Sequence, residues 1–251
     1  MPYRIRPGVE LPKKVPQATL SWVDGKFLIH QVIDVATPSA YEPIGFLGGD
    51  LGIVNILVDS EGVRYTSGCL NGLRKRHAQF RAKLQSKGTR SAKRLLLKRR
   101  RKEGRFARDA NHIIAKRVVS KAKMLTFGIA LEDLKGIRER VRVRKAARRQ
   151  HTSWAFNQLR GFIEYKAILA GVPTVLVDPR NTSRTCPQCG CVEKRNRLSQ
   201  AKFLCVSCGM TGHADTIAAQ NIAQRAVQGR AGGDQPDALP KGNEQVLVSR
   251  G

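Results

Sequence analysis

Acidic residues are scarce in this sequence, and a long apolar run is missing from it. Aspartate and glutamate number 19 against 46 lysines and arginines, which gives a formal net charge of +27. A compact fold carrying that imbalance repels itself unless a polyanion neutralises it, so nucleic acid is the expected partner. A basic chain can also bind anionic lipid, but no apolar stretch approaches the roughly 18 residues needed to span a bilayer, and no membrane association is expected. The first residues, MPYRIRPGVELPKKVP, lack the continuous apolar segment and small-residue cleavage site of a secretory signal, so the expected location is the bacterial cytoplasm, near the nucleoid. Cysteine is also sparse, at six residues, and five of them lie between Cys186 and Cys208. In a reducing compartment that clustering favours metal over disulfides. A length of 251 residues with 41% hydrophobic content allows one substantial core and a small satellite module.

Hydrophobic patterning organises the remainder. Residues 1–43 hold a β-hairpin in which ATLSWV and KFLIHQVIDV flank Asp24-Gly25, a dipeptide suited to a tight turn. From Pro43, the runs PIGFLGGDLG, IVNILVDSEG and VRYTSG predict an antiparallel meander. Leu70, Leu73, His77, Phe80 and Leu84 follow helical spacing, and a helical hairpin is expected over about 69–124. Its second arm is RFARDANHIIAKRVVSKAKM, and KRLLLKRRRKEGR places positive charge at or near the turn. MLTFGIALEDL predicts a strand, NQLRGFIEYKAILA a helix with Leu159, Phe162, Ile163, Lys166 and Ala170 on one side, and VPTVLV another strand. This order of strands and helices is that of an RNase H-like α/β layer fold, a mixed sheet covered by helices. The nuclease-like core is expected over 44–180, a zinc module over 181–212, a last helix over 213–228, and a Gly- and Pro-rich disordered tail over 229–251.

Cys186-Pro-Gln-Cys189 and Cys205-Val-Ser-Cys208 are each followed by glycine, the zinc-ribbon arrangement. Two residues between paired thiolates let a knuckle aim both sulfurs at one tetrahedral ion. Gly190 and Gly209 supply the backbone freedom for that turn. Four thiolates leave zinc no open position, so the predicted site is structural. Cys191 is expected beside it as a spare thiol.

Phosphodiester hydrolysis by two divalent ions needs several carboxylates converging on metals about 4 Å apart. Asp50 lies in GGDLGI, Glu132 ends an apolar strand, and Asp215 precedes a helix containing Ala218, Ala219, Ile222 and Ala226. Singly, each acid has a plainer explanation: a turn residue, a helix-start acid and an N-cap. Together, in so acid-poor a chain, they form a candidate catalytic set. Asp133 rivals Glu132, since alternation alone does not choose between them, and Asp178 ranks fourth. The basic candidates for nucleic-acid contact are Lys98, Arg99, Arg100, Arg101 and Lys102, with Arg142, Arg144, Lys145, Arg148 and Arg149 in RERVRVRKAARRQ.

From Gly45 to Gln228 the motifs GGDLGI, NHIIAKRVV, IALEDLKGI, NQLRGFIEYKAILAGVP, VDPRNTSRTCPQCG, FLCVSCG and HADTIAAQNIA occur in the order found in one family. The chain resembles the TnpB (OrfB-type) transposon-encoded nucleases, relatives of the type V CRISPR effectors. The resemblance implies a RuvC centre made of Asp50, Glu132 and Asp215, which favours Glu132 over Asp133. It also implies an RNA-guided, Mg²⁺- or Mn²⁺-dependent DNA endonuclease with a structural Zn²⁺, whose partners are DNA and a guide RNA. The sequence departs from the family pattern at Ile217, where asparagine is common, and at His213, where an acid is common. It departs most before Pro43, where only a remnant of the family's N-terminal β-region is recognisable. That shortness raises the expectation of a fragment, of a minimal form, or of a chain needing its other half or a transposase partner. The alternative functions are a non-catalytic nucleic-acid-binding remnant or regulator of the same family, and a zinc-ribbon transcription or translation factor.

Overall fold

The computed structural model describes residues 17–23, 25–32, 35–134 and 156–231. The chain divides into a unit that includes the N-terminal hairpin and a body within Pro38–Pro240. In the hairpin, β1 (Ala18–Val23) pairs antiparallel with β2 (Lys26–Gln31), with Val23 opposite Lys26. Gly25 takes φ +80°, as a two-residue hairpin turn requires; Asp24 lies outside the described residues.

In the body, β3 (Gly45–Asp50), β4 (Asn55–Asp59) and β5 (Arg64–Thr66) form the expected antiparallel meander. On the other side of β3, β6 (Phe127–Glu132) and β7 (Thr174–Val177) add in parallel, giving the order β5-β4-β3-β6-β7. The sheet is therefore mixed, as the alternation of runs implies.

Side-chain alternation along these strands feeds two apolar layers. On one face, Leu47, Leu57, Ile129 and Leu131 pack with Ile114, Ala115, Val118 and Ala122 of α3 (Lys102–Met124) and with Leu159, Ile163 and Ala167 of α4 (Phe156–Ala170). On the other, Phe46, Ala130 and Val177 meet Ile222 and Ala226 of α5 (Ala214–Ala231). Helix α5 lies so close to β3 that a Cβ at Gly48 would stand 2.0 Å from the Ala219 carbonyl oxygen. Only glycine fits at 48. That approach carries the first turn of α5 to the end of β3.

The helical insertion differs from the expected hairpin. It contains three helices, α1 (Gly68–Lys87), α2 (Arg90–Arg99) and α3. The basic run expected at or near a turn is largely helical, forming most of α2 and the start of α3. Gly88, with φ +63°, ends α1, and the Thr89 hydroxyl accepts from the Ala92 N–H at 3.2 Å to cap α2. Arg100 and Arg101, the latter with φ +65°, link α2 to α3. The last helix also runs farther than expected, through Ala231. The tail from 232 onward and the basic segment 138–150 lie outside the described residues. Among the described residues, no helix is long and apolar enough to cross a membrane.

Candidate active site

Parallel pairing sets Gly49 opposite Leu131, so Asp50 and Glu132 leave neighbouring strands at the same end of the sheet. Asp215 is the second residue of α5, delivered there by the close packing over Gly48. Glu132 and Asp215 are each 8% exposed. Burial of its carboxyl, with the charges of Glu132 and Asp215 adding to it and Arg197 opposing, pushes Asp50 up to about 7. Burial also raises Glu132, against a hydrogen bond from Thr182 and the charges of Arg225 and Arg197. A buried carboxyl raised by two neighbouring acids gains from a cation beside it, and the hard oxygen donors of the three suit a divalent one.

Asp133, the rival to Glu132, is turned to α4. Its Oδ1 receives Arg160 Nη1 at 3.0 Å, while Arg160 Nε donates to Glu164 at 2.6 Å. Asp178 closes a turn, accepting from the Arg180 N–H at 2.9 Å, with a side chain 59% exposed.

Four residues that sequence reasoning passed over complete the cluster. Asn55 Nδ2 donates to Asp215 Oδ2 at 2.9 Å, and Arg197 Nη2 approaches Asp215 Oδ1 at 3.1 Å, so both oxygens of this acid are held. Thr182 Oγ1 donates to Glu132 Oε1 at 2.5 Å, and Asn221 holds the backbone around Thr182. Asn55 and Arg197 had no readable signal, because Asn55 sits in an ordinary strand run and Arg197 looks like one more surface base, whereas Thr182 and Asn221 lie inside the motifs VDPRNTSRTCPQCG and HADTIAAQNIA. Ile217 points away from the acids. It is buried with Cys186, Phe203, Cys205 and Ala214, and so joins α5 to the cysteine module. His213 lies on a short strand, Thr211–His213, and its Nδ1 has no hydrogen-bond partner among the described residues.

The cysteine module is built from two copies of one turn. The Gly190 N–H donates to the Cys186 carbonyl at 2.9 Å and the Gly209 N–H to the Cys205 carbonyl at 3.0 Å, with φ of +72° and +73° at the glycines. Cys186 N–H then reaches the Cys191 carbonyl, and Cys205 N–H the Met210 carbonyl. Buried Asn196 ties the two turns together, donating to the Arg184 and Cys191 carbonyls and accepting from the Val206 N–H. The four sulfurs lie within 4.8 Å of one another, with Cys186–Cys208 at 3.6 Å and Cys189–Cys205 at 3.5 Å. Zinc–sulfur bonds of about 2.3 Å at tetrahedral angles place sulfurs about 3.8 Å apart, so the cluster could bind zinc. The backbone N–H of Cys208 draws the Cys205 thiol down to about 6, toward the thiolate a metal requires. Cys191 is half-buried beside the four and is not one of them.

Lys98, Arg99, Arg100, Arg101 and Lys102 are all exposed at the junction of α2 and α3. Arg99 lies over the Phe80 ring at 4.4 Å. The one acid in the stretch 68–105, Glu103, faces Arg74 and Arg81. Arg142, Arg144, Lys145, Arg148 and Arg149 lie outside the described residues.

A TnpB-like protein of Methanocaldococcus jannaschii is 30% identical over 226 residues, spanning 82% of this chain and 81% of the relative. This chain belongs to the TnpB family. Residues 156–222 of this TnpB match the family model described as the Cas12f1-like TNB domain. A CRISPR-associated endodeoxyribonuclease Cas12f1 of Sulfoacidibacillus thermotolerans is 36% identical over 125 residues, which is 49% of this chain and 28% of the relative. The fold is similar to that in a cryo-EM structure of a Cas12f1–sgRNA–target DNA complex, with a TM-score of 0.55 and 20% identity, over 81% of this TnpB and 55% of that chain. The chain thus spans most of its Methanocaldococcus jannaschii relative and about half of the solved Cas12f1 chain.

Proposed function

We propose that this chain is a transposon-associated, RNA-guided DNA endonuclease whose RNase H-like (RuvC) centre is formed by Asp50, Glu132 and Asp215. The observation that carries the reading is the convergence of three acids from separate elements, two of them buried, in a chain otherwise poor in acid. Mg²⁺ or Mn²⁺, when bound there, supplies water activation and charge neutralisation at the leaving oxygen. The three carboxylates would hold the cation. Asn55 and Thr182 orient Asp215 and Glu132, and Arg197 contributes a positive charge at the same edge, where a phosphate has to enter. The cysteine ribbon holds structural Zn²⁺ and keeps Arg197 in place. Helices α1 to α3 offer their exposed lysines and arginines to the phosphates of DNA and guide RNA, in an interaction that weakens as salt rises. The name of the Cas12f1 relative and the guide and target in the Cas12f1 complex support this assignment of partners.

The test is cleavage of labelled single- and double-stranded DNA by the purified chain with its co-purifying RNA, in Mg²⁺, beside Asp50→Ala. The expected outcome is cleavage by the parent and a loss of about a thousandfold or more in the variant with nucleic-acid binding nearly unchanged. Salt-sensitive binding by the parent without any Mg²⁺-dependent cleavage would return the chain to the guided, non-catalytic reading.

A further inference from the structure

Between β7 and Cys186, the chain passes through Asp178 to Thr185, a loop fixed from two sides. Asn221, 3% exposed on α5, donates through Nδ2 to the carbonyls of Thr182 and Thr185, both at 2.7 Å. One turn on, Arg225 Nη1 reaches the Asp178 carbonyl at 2.7 Å. Thr182 is 3% exposed, and its hydroxyl stands 2.5 Å from Glu132 Oε1 and 3.1 Å from the Pro179 carbonyl. A hydroxyl has one proton to give. The nearer and charged acceptor takes it whenever Glu132 is ionised, because charge-assisted hydrogen bonds are the shorter and stronger kind.

We infer that Thr182 is a positioning residue for Glu132, set in place by Asn221, so that one helix, α5, fixes the orientation of two of the three acids. Asp215 is carried by α5 directly, and Glu132 is referenced to it through the Thr182 carbonyl and hydroxyl. The terminal torsion of a glutamate is broad and nearly two-fold, so an unheld Glu132 would spread its oxygens over several directions. With Oε1 engaged by Thr182, Oε2 is left to meet a cation. The inference rests on the reading of these carboxylates as a divalent-metal site, and the loop is also the lead-in to Cys186, so the ribbon and the acid cluster share this connection.

Binding of Mn²⁺ to the zinc-loaded, DNA-free chain, read by electron paramagnetic resonance, tests it. Thr182→Val is expected to weaken Mn²⁺ binding by about tenfold or more, as loss of a ligand's hydrogen-bond partner typically does, while Thr182→Ser stays near the parent. Asn221→Asp, which removes the amide donors at constant volume, is expected to weaken binding as well. Should the valine variant not fold, Thr182→Ala takes its place in the same comparison. Parent-like Mn²⁺ binding by the variant lacking the hydroxyl, or a serine variant as weak as that one, would overturn the inference. Asp50→Ala separates the two levels: unchanged Mn²⁺ binding there would remove the metal-site reading itself, whereas its loss together with indifference to Thr182 would remove only the positioning role.

Discussion

The sulfurs of the ribbon all come from Cys186 to Cys208, and two copies of the same glycine-terminated turn aim them inward. The carboxylates come from β3, β6 and α5, and meet only because a parallel strand pair and a helix packed on glycine end at one place. One of the thiols, Cys205, is drawn toward the thiolate by the backbone N–H of Cys208. Burial, with the charges of Glu132 and Asp215, raises Asp50, and the other two acids are held by neighbours: Asn55 and Arg197 on Asp215, Thr182 on Glu132. Two of those neighbours, Thr182 and Arg197, lie in the stretch 181–212 that holds the cysteines. Because residues that hold Glu132 and Asp215 lie in the cysteine stretch, we propose that the acid cluster leans on the ribbon while the ribbon stands without it.

That one-way dependence can be broken experimentally. The largest effect is expected from stripping zinc with a chelator or from Cys205→Ser: structural zinc contributes on the order of 10 kcal/mol of apparent binding free energy to its module. Its loss should unfold the ribbon, release Arg197 and Thr182, and abolish both Mn²⁺ binding and cleavage, as followed by limited proteolysis and resonance titration. Zinc-free protein that keeps parent-like Mn²⁺ affinity would show the two sites to be independent. The converse perturbation is Gly48→Ala, whose new methyl meets the backbone carbonyl oxygen of Ala219 at 2.0 Å. It should cost about 3 kcal/mol in denaturant unfolding and impair cleavage, while cobalt substituted at the cysteines keeps its thiolate absorption.

A milder change, Asn55→Ala, removes one of the two groups holding Asp215 and should lower Mn²⁺ affinity about tenfold without moving the melting midpoint by more than a few degrees. The smallest effect is one of pH. Asp50 stays neutral in the fold up to about 7, whereas in the unfolded chain it ionises in the ordinary carboxylate range. Its contribution to stability is therefore complete at low pH and disappears as pH rises through about 7, and Glu132, also raised, acts in the same direction. Without divalent ions the melting temperature should fall between pH 5 and 8. Mg²⁺ should reverse that fall by taking the place of the protons, and Asp50→Asn should flatten it. A metal-free melting temperature that climbs steadily to pH 8 would contradict the repulsion assigned to the cluster.

Much of this was legible from short-range pattern. The paired cysteines and their glycines, the three-strand meander and the helix that follows Asp215 are each specified within a few residues, where spacing and turn chemistry decide. The insertion was only half legible: Gly88 and Thr89 carry the stop and the cap that make three helices of an expected two, but the basic composition of KRLLLKRRRKEGR hid its helical role. Glu132 and Asp133 could be separated by family resemblance but not by alternation, and the structure distinguishes them physically, with Arg160 drawing Asp133 to α4.

The sequence by itself determined that a strongly basic chain carries a four-cysteine site and a handful of acids at element ends, because charge balance and knuckle spacing are local properties. The tertiary structure alone decided that those acids share one end of a sheet, that Asn55, Thr182 and Arg197 hold them there, and that Ile217 faces the ribbon instead. Contacts between residues as distant as Asn55 and Asp215 exist only after strand register and the close approach of α5 to β3 have brought them together.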